Sequence, residues 1–240
     1  MMLREKDILF EDKDIFVCKK LAGIATQTAK IGEQDMVSLI KNYLKVSYIG
    51  IVHRLDQPVE GILIVAKTQL AAAKLSRQFA EKDKVEKRYY ALVYNERKQG
   101  KEEACKLIDY LVKDGKNNTS KVVASTVKEA KKAELEYRIC QKAVDKHSAD
   151  VSRCALAEIF LKTGRHHQIR VQMANIGMPL LGDKKYGNEE SLRISREKNI
   201  SDIALCAYFL SFSHPITGKK MHFEIAPENP AFMPFLPVNP

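Results

Sequence analysis

Apolar and polar positions along this chain recur mostly at the two-residue period of strands, and in only a few windows at the period of a helix. Ile8-Leu9-Phe10 and Ile15-Phe16-Val17, separated by Glu11-Asp12-Lys13-Asp14, predict a hairpin over 7–20. Behind Asp35 as N-cap, Met36, Leu39, Ile40, Tyr43 and Leu44 fall on one helical face. Gly61 to Ala66 is apolar and too short for a helix, so it reads as a buried strand, and Thr68 then caps an Ala-rich helix over 68–81. Strands are expected over 88–94, 104–112, 119–127, 133–140 and 154–162. The helical period returns over 167–176 and is stopped by Gly177 and Pro179. Two last strands, 204–212 and 220–226, flank a turn at His214-Pro215-Ile216-Thr217-Gly218. Strands outnumber helices and follow one another without crossover helices. The expected class is therefore α+β, with a large mixed, mostly antiparallel sheet and flanking helices and loops. No repeat or linker divides the chain, so one domain is expected over 1–226. Prolines 227, 230, 234, 237 and 240 suggest an extended tail over 227–240, outside the core.

Composition narrows the partners. Lys and Arg number 40 against 30 Asp and Glu, a net charge of +10 with a pI near 9.3. Such a balance favours polyanions, because each phosphate contact releases a condensed counterion. The cysteines at 18, 105, 140, 154 and 206 form no C-x-x-C pair and read as small core residues in a reducing compartment. The longest apolar run, Gly61–Ala66, is too short to span a bilayer, and the charged N-terminus does not resemble a signal peptide. A cytoplasmic protein is expected. Dinucleotide-binding, Walker-type, H-E-x-x-H and G-x-S-x-G motifs are absent, so side-chain chemistry without a cofactor or metal is expected.

Three polar segments stand where packing alone would not put them. Val52-His53-Arg54-Leu55-Asp56 leads into the apolar strand 61–66, and a carboxylate there is partly desolvated and needs a partner, or else simply caps a turn. Lys87-Arg88-Tyr89-Tyr90 opens another strand and sends one tyrosine to each face, either to stack on a base or to fill the core. Gly164-Arg165-His166-His167-Gln168-Ile169-Arg170 sits where a strand turns into a helix, a place that attracts anions, although a solvated basic turn would look the same. The paired histidines have no carboxylate or cysteine near them in sequence, which argues against a metal. Lys67, Lys74, Arg77, Lys82 and Lys84 would line one basic helical face, a track for phosphates.

Together these segments resemble the RluA-type pseudouridine synthases, which isomerise uridine in structured RNA. His53-Arg54-Leu55-Asp56 resembles that family's H-R-L-D signature. Lys87-Arg88-Tyr89 is similar to its K-x-Y, and Gly164–Val171 to its G-R-x-H-Q-I-R-V. Gly177–Asp183, Lys185-Tyr186-Gly187 and His214–Gly218 continue the match over residues 7–226. The resemblance implies a pseudouridine synthase fold with a central RNA cleft, a ribosomal or transfer RNA partner and no cofactor. By position, Asp56 would be the catalytic carboxylate, Tyr89 the tyrosine beside the base, and Arg170 the arginine that pairs with Asp56. Arg54 would enter the space left by a flipped nucleotide, with His53, Lys87, Arg165 and His167 as further RNA contacts.

The chain departs from the family in reading Val59-Glu60-Gly61 where Thr-Ser-Gly is usual. This places a carboxylate near the expected path of a phosphate. Many relatives also begin with a small RNA-binding domain, whereas the catalytic pattern here begins by residue 7, so the catalytic domain is expected to select RNA alone, as a monomer. Two other classes stay open on the residues themselves. One is an RNA-binding protein that keeps the fold without turnover. The other is a metal-dependent nuclease using His53, Asp56, His166 and His167.

Overall fold

The computed structural model describes residues 2–28, 32–95, 104–142 and 153–235. The chain gathers into two compact units, one of residues 1–87 and 207–227, the other of 88–206 and 228–240. No described helix is long and apolar enough to cross a membrane.

The first unit is built on two covered strands. β1 (Ile8–Glu11) and β2 (Ile15–Lys20) form the expected hairpin, and α1 (Met36–Leu44), β3 (Gly50–Ile51), β4 (Glu60–Ala66) and α2 (Gln69–Ala80) follow. β2 and β4 run antiparallel, with Ile15 opposite Ala66 and Lys20 opposite Gly61, and every residue of both is buried. Alternation explains how both faces can be apolar. Ile15, Val17, Ile62 and Ile64 pack with Ala71 and Leu75 of α2, and Phe16, Cys18, Leu63 and Val65 pack with Met36, Leu39 and Ile40 of α1. Both helices start where expected: Asp35 accepts the Ser38 N–H at 2.8 Å, and Thr68 that of Ala71 at 3.2 Å.

The second unit holds most of β5 (Glu86–Tyr94), then β6 (Cys105–Asp114), β7 (Thr119–Val123), β8 (Lys131–Lys142) and β9 (Cys154–Leu161), in the order β5-β9-β8-β6-β7. These pairs are all antiparallel. α3 (Gln168–Asn175) and α4 (Glu189–Glu197) belong to it, and β10 (Leu205–Ser213) starts here and ends in the first unit, where β11 (Lys220–Glu224) pairs with it antiparallel. The whole is α+β, with mostly antiparallel strands and few helices.

Several expectations change. α2 ends at Ala80 with Glu81 already extended, so Lys82 and Lys84 lie beyond the helix, and Lys67 precedes it in an ion pair with Glu11. The basic helical face shrinks to Lys74 and Arg77. β7 stops at Val123 because residues 124–130 fold into successive turns. α4 carries too few apolar residues for its period to show, but Asn188 caps it and Arg193 pairs with Glu190 and Glu197 along its surface. The segment after Pro227 is not extended over its described part: Pro230–Phe235 form a 3-10 helix with Phe232 and Phe235 buried. Of the five cysteines, Cys105 and Cys140 are exposed.

Of the described glycines in the first unit, Gly61 leaves the least room for a Cβ. It has φ +145, and an added Cβ would lie 2.4 Å from the Ala207 Cβ. Gly61→Ala should therefore cost about 2–4 kcal/mol through strain and overpacking, read as a lower urea midpoint.

Candidate active site

The loop that carries Asp56 is held from both sides by the chain after β2. Thr26 Oγ1 donates to the Leu55 carbonyl at 2.9 Å and accepts the Leu55 N–H at 3.1 Å. One residue beyond Asp56, the Gln57 carbonyl accepts the Gly23 N–H at 2.9 Å and Lys20 Nζ at 3.1 Å. The Val59 N–H closes a turn onto the Asp56 carbonyl at 3.0 Å. Asp56 itself is half-buried and Arg54 exposed, between the buried Leu55 and the anchored Gln57. Backbone bonds on each neighbour leave the carboxylate little freedom to move with its loop.

His53 begins this loop as a packed ring. Its Nε2 accepts the Ile64 N–H of β4 at 3.1 Å, and the ring stacks on Phe79 at 4.8 Å. Burial, helped by the Lys87 ammonium, pushes it to a pKa of about 3. An RNA contact by His53 would therefore be made by a neutral ring. Burial also lowers the Lys87 pKa.

In the second unit, Tyr89 is buried on β5, opposite Ile159 of β9. Leu92 and Tyr94 on the same strand bond to Leu181 and Pro179, the segment that leads from α3 to Asp183. Arg170 of α3 makes a bidentate pair with Asp183, Nε to Oδ2 at 2.7 Å and Nη2 to Oδ1 at 2.8 Å. Both side chains are almost fully buried, and the Arg170 guanidinium also lies 5.0 Å from the centre of the Tyr186 ring. Asp183 and Tyr186 stand in the quoted motifs, yet their partnership with Arg170 depends on how the loop after α3 folds back.

The paired histidines are explained by the same lattice. The Ser120 N–H donates to the Tyr186 hydroxyl at 2.7 Å, and that hydroxyl also hydrogen-bonds His167 Nδ1 at 2.8 Å. His166 lies between Ser120 Oγ at 2.9 Å and Asn118 Oδ1 at 3.0 Å, and the two rings stack at 3.8 Å. Since an amide oxygen only accepts, His166 donates through Nε2. His167 has φ 53 and offers no side-chain cap to α3. Burial first, then Arg170, brings its pKa to about 3. Arg165 is exposed, with its backbone N–H on Gln168 Oε1 and its Nε on the Lys132 carbonyl. Lys132, whose carbonyl it meets, is exposed, and so are Lys113 and Lys185, whose charges act on His167.

The RNA pseudouridylate synthase family profile matches residues 14–175. The ribosomal large subunit pseudouridine synthase C of Buchnera aphidicola subsp. Schizaphis graminum is 33% identical over 236 residues, covering 96% of this chain and 69% of its own length. This chain belongs to the RNA pseudouridylate synthase family. Its activity is that of an RNA pseudouridine synthase, an isomerase acting on uridine in RNA. The synthase is also 30% identical over 222 residues to the dual-specificity RNA pseudouridine synthase RluA of Salmonella typhimurium, with 91% of each chain covered. Against synthase D of Vibrio cholerae it is 32% identical over 230 residues and spans 66% of that protein's length. Human RNA pseudouridylate synthase domain containing 1 shares the fold, with a TM-score of 0.72 at 21% identity over 99% of this chain and 88% of that one.

Among the described residues of the synthase, one group has metal-ligand spacing: Asp12, Asp14 and His214. It suits a metal poorly. His214 Nδ1 accepts the Ile216 and Thr217 N–H groups, so Nε2 carries the proton and gives it to Asp12 Oδ2 at 2.9 Å. A ring with both nitrogens so committed has no lone pair left for a cation.

Asp183→Asn should destabilise the synthase by about 3–5 kcal/mol, because it leaves a buried guanidinium without its anion; denaturant unfolding measures this. His53 and His167 stay neutral when folded down to about pH 3, whereas an ordinary imidazole takes up its proton near 6.5. The unfolded chain thus binds more protons between these values, and stability falls as pH falls through that window, by up to about 1.4 kcal/mol per unit for each ring. Urea midpoints from pH 7 to 4 should show the slope, and His53→Gln should flatten it.

Proposed function

We propose that this synthase isomerises uridines in structured RNA with Asp56 as the acting carboxylate, Tyr89 beside the base and Arg170 as the arginine that keeps Asp56 ionised. The observation that carries the reading is the H-R-L-D loop, anchored by backbone bonds on the residues either side of Asp56 in a chain of this family. Reactant and product have the same atoms. The bond from ribose to the base nitrogen breaks, the base turns, and a bond to the base carbon forms, with a proton leaving that carbon and one returning to the nitrogen. An ionised carboxylate next to the sugar is the group this sequence of steps requires. The uridine leaves its stack to reach it, at a cost of a few kcal/mol, and a tyrosine that stacks on the base returns about 1–3 kcal/mol.

The Asp183 pair supports the role given to Arg170, since a guanidinium held through Nε and Nη2 has a fixed plane and a fixed charge. Arg54 is exposed at the head of the loop and suits entry into the space the nucleotide vacates. Arg165 and Lys87 supply phosphate contacts, with His53 and His167 as neutral neighbours. Relatives named for the ribosomal large subunit make its RNA the first substrate to examine, and the dual-specificity relative makes transfer RNA the second. The synthase acts on them as a monomer in the cytoplasm.

Pseudouridine mapping of total RNA, with and without the gene, tests this reading. Sites that vanish without it should return with the wild type and not with Asp56→Asn, a loss of at least about a thousandfold, while RNA affinity stays within a few fold. A working Asp56→Asn protein would refute the role of Asp56.

A further inference from the structure

The β6–β7 hairpin carries none of the three family motifs, yet it is fastened to one of them and to the loop that follows α3. His166, which fills the open position of G-R-x-H-Q-I-R-V, donates through Nε2 to Asn118 Oδ1 at 3.0 Å and meets Ser120 Oγ through Nδ1 at 2.9 Å. Lys185 Nζ donates to the Asn118 carbonyl at 2.8 Å, and the Ser120 N–H donates to the Tyr186 hydroxyl at 2.7 Å. Asn118 stands last in the turn 115–118 with φ 48, a conformation that asparagine tolerates. The acids of the hairpin are spent within the unit. Asp109 accepts Gln172 Nε2 at 2.7 Å, and Asp114 accepts the Lys116 and Asn117 N–H groups at 2.9 and 3.1 Å and Asn117 Nδ2 at 2.7 Å. Lys106 pairs with Glu134, whereas Lys113 and Lys116 are exposed and make no ion pair with a described residue. Lys113 lies opposite Ser120, so alternation sets it on the side of the hairpin that meets His166. Arg165 and Lys185, at the two anchors, are exposed as well.

We propose that the β6–β7 hairpin is an RNA-contact element: Lys113 and Lys116, together with Arg165 and Lys185, bind the phosphate backbone of the substrate, and His166 is the latch that holds the hairpin in place for it. The proposal concerns where RNA is held and does not depend on the role of Asp56. A phosphate backbone is the occupant because the hairpin turns its carboxylates inward and its ammonium groups outward, in a family that acts on RNA. The latch matters because β7 is the last strand of the sheet, with β6 as its strand neighbour. A two-stranded ribbon is marginally stable by itself, so cations at its tip keep a fixed spacing only if the tip is anchored. His166 and Lys185 supply that anchor at Asn118, and His166 and Tyr186 supply it at Ser120. His166 is thus a positioning residue, and the four cations are the groups that touch RNA.

The test measures binding of the full chain to transcribed large-subunit ribosomal RNA over a salt series from about 50 to 300 mM, where each phosphate contact adds to the slope of log affinity against log salt. Lys113→Ala and Lys116→Ala should each flatten that slope by about one. Asn118→Gly removes the partner of His166 without removing a charge, and glycine keeps the positive φ. It should weaken binding about five- to tenfold at about 150 mM salt. Added to Lys113→Ala, it should cost no more than about a further twofold, because the contact it positions is already gone. Ser120→Ala, which keeps its backbone bond to Tyr186, should act in the same direction with a smaller loss. Unmoved slopes in both lysine variants overturn the proposal, since lysines that merely keep an edge strand soluble would behave in that way. Asn118→Gly and Ser120→Ala proteins that bind like the wild type overturn the latch, and so does a loss that multiplies in full with Lys113→Ala. If the wild type bound this RNA and modified no uridine, the assignment of Asp56 would fall while the salt series still decided the role of the hairpin.

Discussion

The fully buried ammonium of Lys20 is the constraint around which the first unit's functional loop is arranged. A lone cation in a dry site is costly, so every N–H it carries must find an acceptor. Here the acceptors are three backbone carbonyls, two from the turn after β2 and one from the loop after His53-Arg54-Leu55-Asp56. Satisfying the cation therefore ties two stretches of chain together that lie more than thirty residues apart. Thr26 and Gly23 add bonds on either side of the same seam. The loop that carries Asp56 is thus fixed to the chain after β2 by bonds to its backbone on either side of the carboxylate.

The second unit uses a different economy for the same end. Its buried guanidinium meets a buried carboxylate, Arg170 with Asp183, and the Asp183 carboxylate also accepts the N–H groups of Lys185 and Tyr186. The Tyr186 hydroxyl in turn joins the Ser120 N–H to His167 Nδ1, so that a strand, a helix and a loop share one lattice. In a chain with a net charge of +10, His53 and His167 stay neutral and serve as packed rings, leaving the positive potential there to arginine and lysine. That division suits a protein that must attract a polyanion at neutral pH without depending on histidine protonation.

Much of this was legible in the order of residues. Asp35 and Thr68 cap the helices expected of them, the hairpin over 7–20 forms, and the run 61–66 that read as a buried strand is buried. The three motifs pointed to the family that the relatives confirm. Less legible were the features whose signal is spread thinly. α4 is held by a cap and surface ion pairs with few apolar positions, and the tail looked extended because proline marks a 3-10 helix as readily as a free strand.

What the sequence determined by itself was local: periodicity, caps, net charge and the identity of the motif residues, all of which depend on near neighbours along the chain. What only the tertiary structure decided was which charges lie together. Nothing in the sequence singled out Lys20, and Glu60 looked like a carboxylate that would meet phosphate. Folding buried both and gave Lys20 three backbone carbonyls as its partners. Arg170 likewise looked like a residue with one expected partner, and the return of the loop after α3 supplied Asp183. Burial strengthens electrostatic interactions by removing water, and burial is a property of the whole fold that no window of sequence contains.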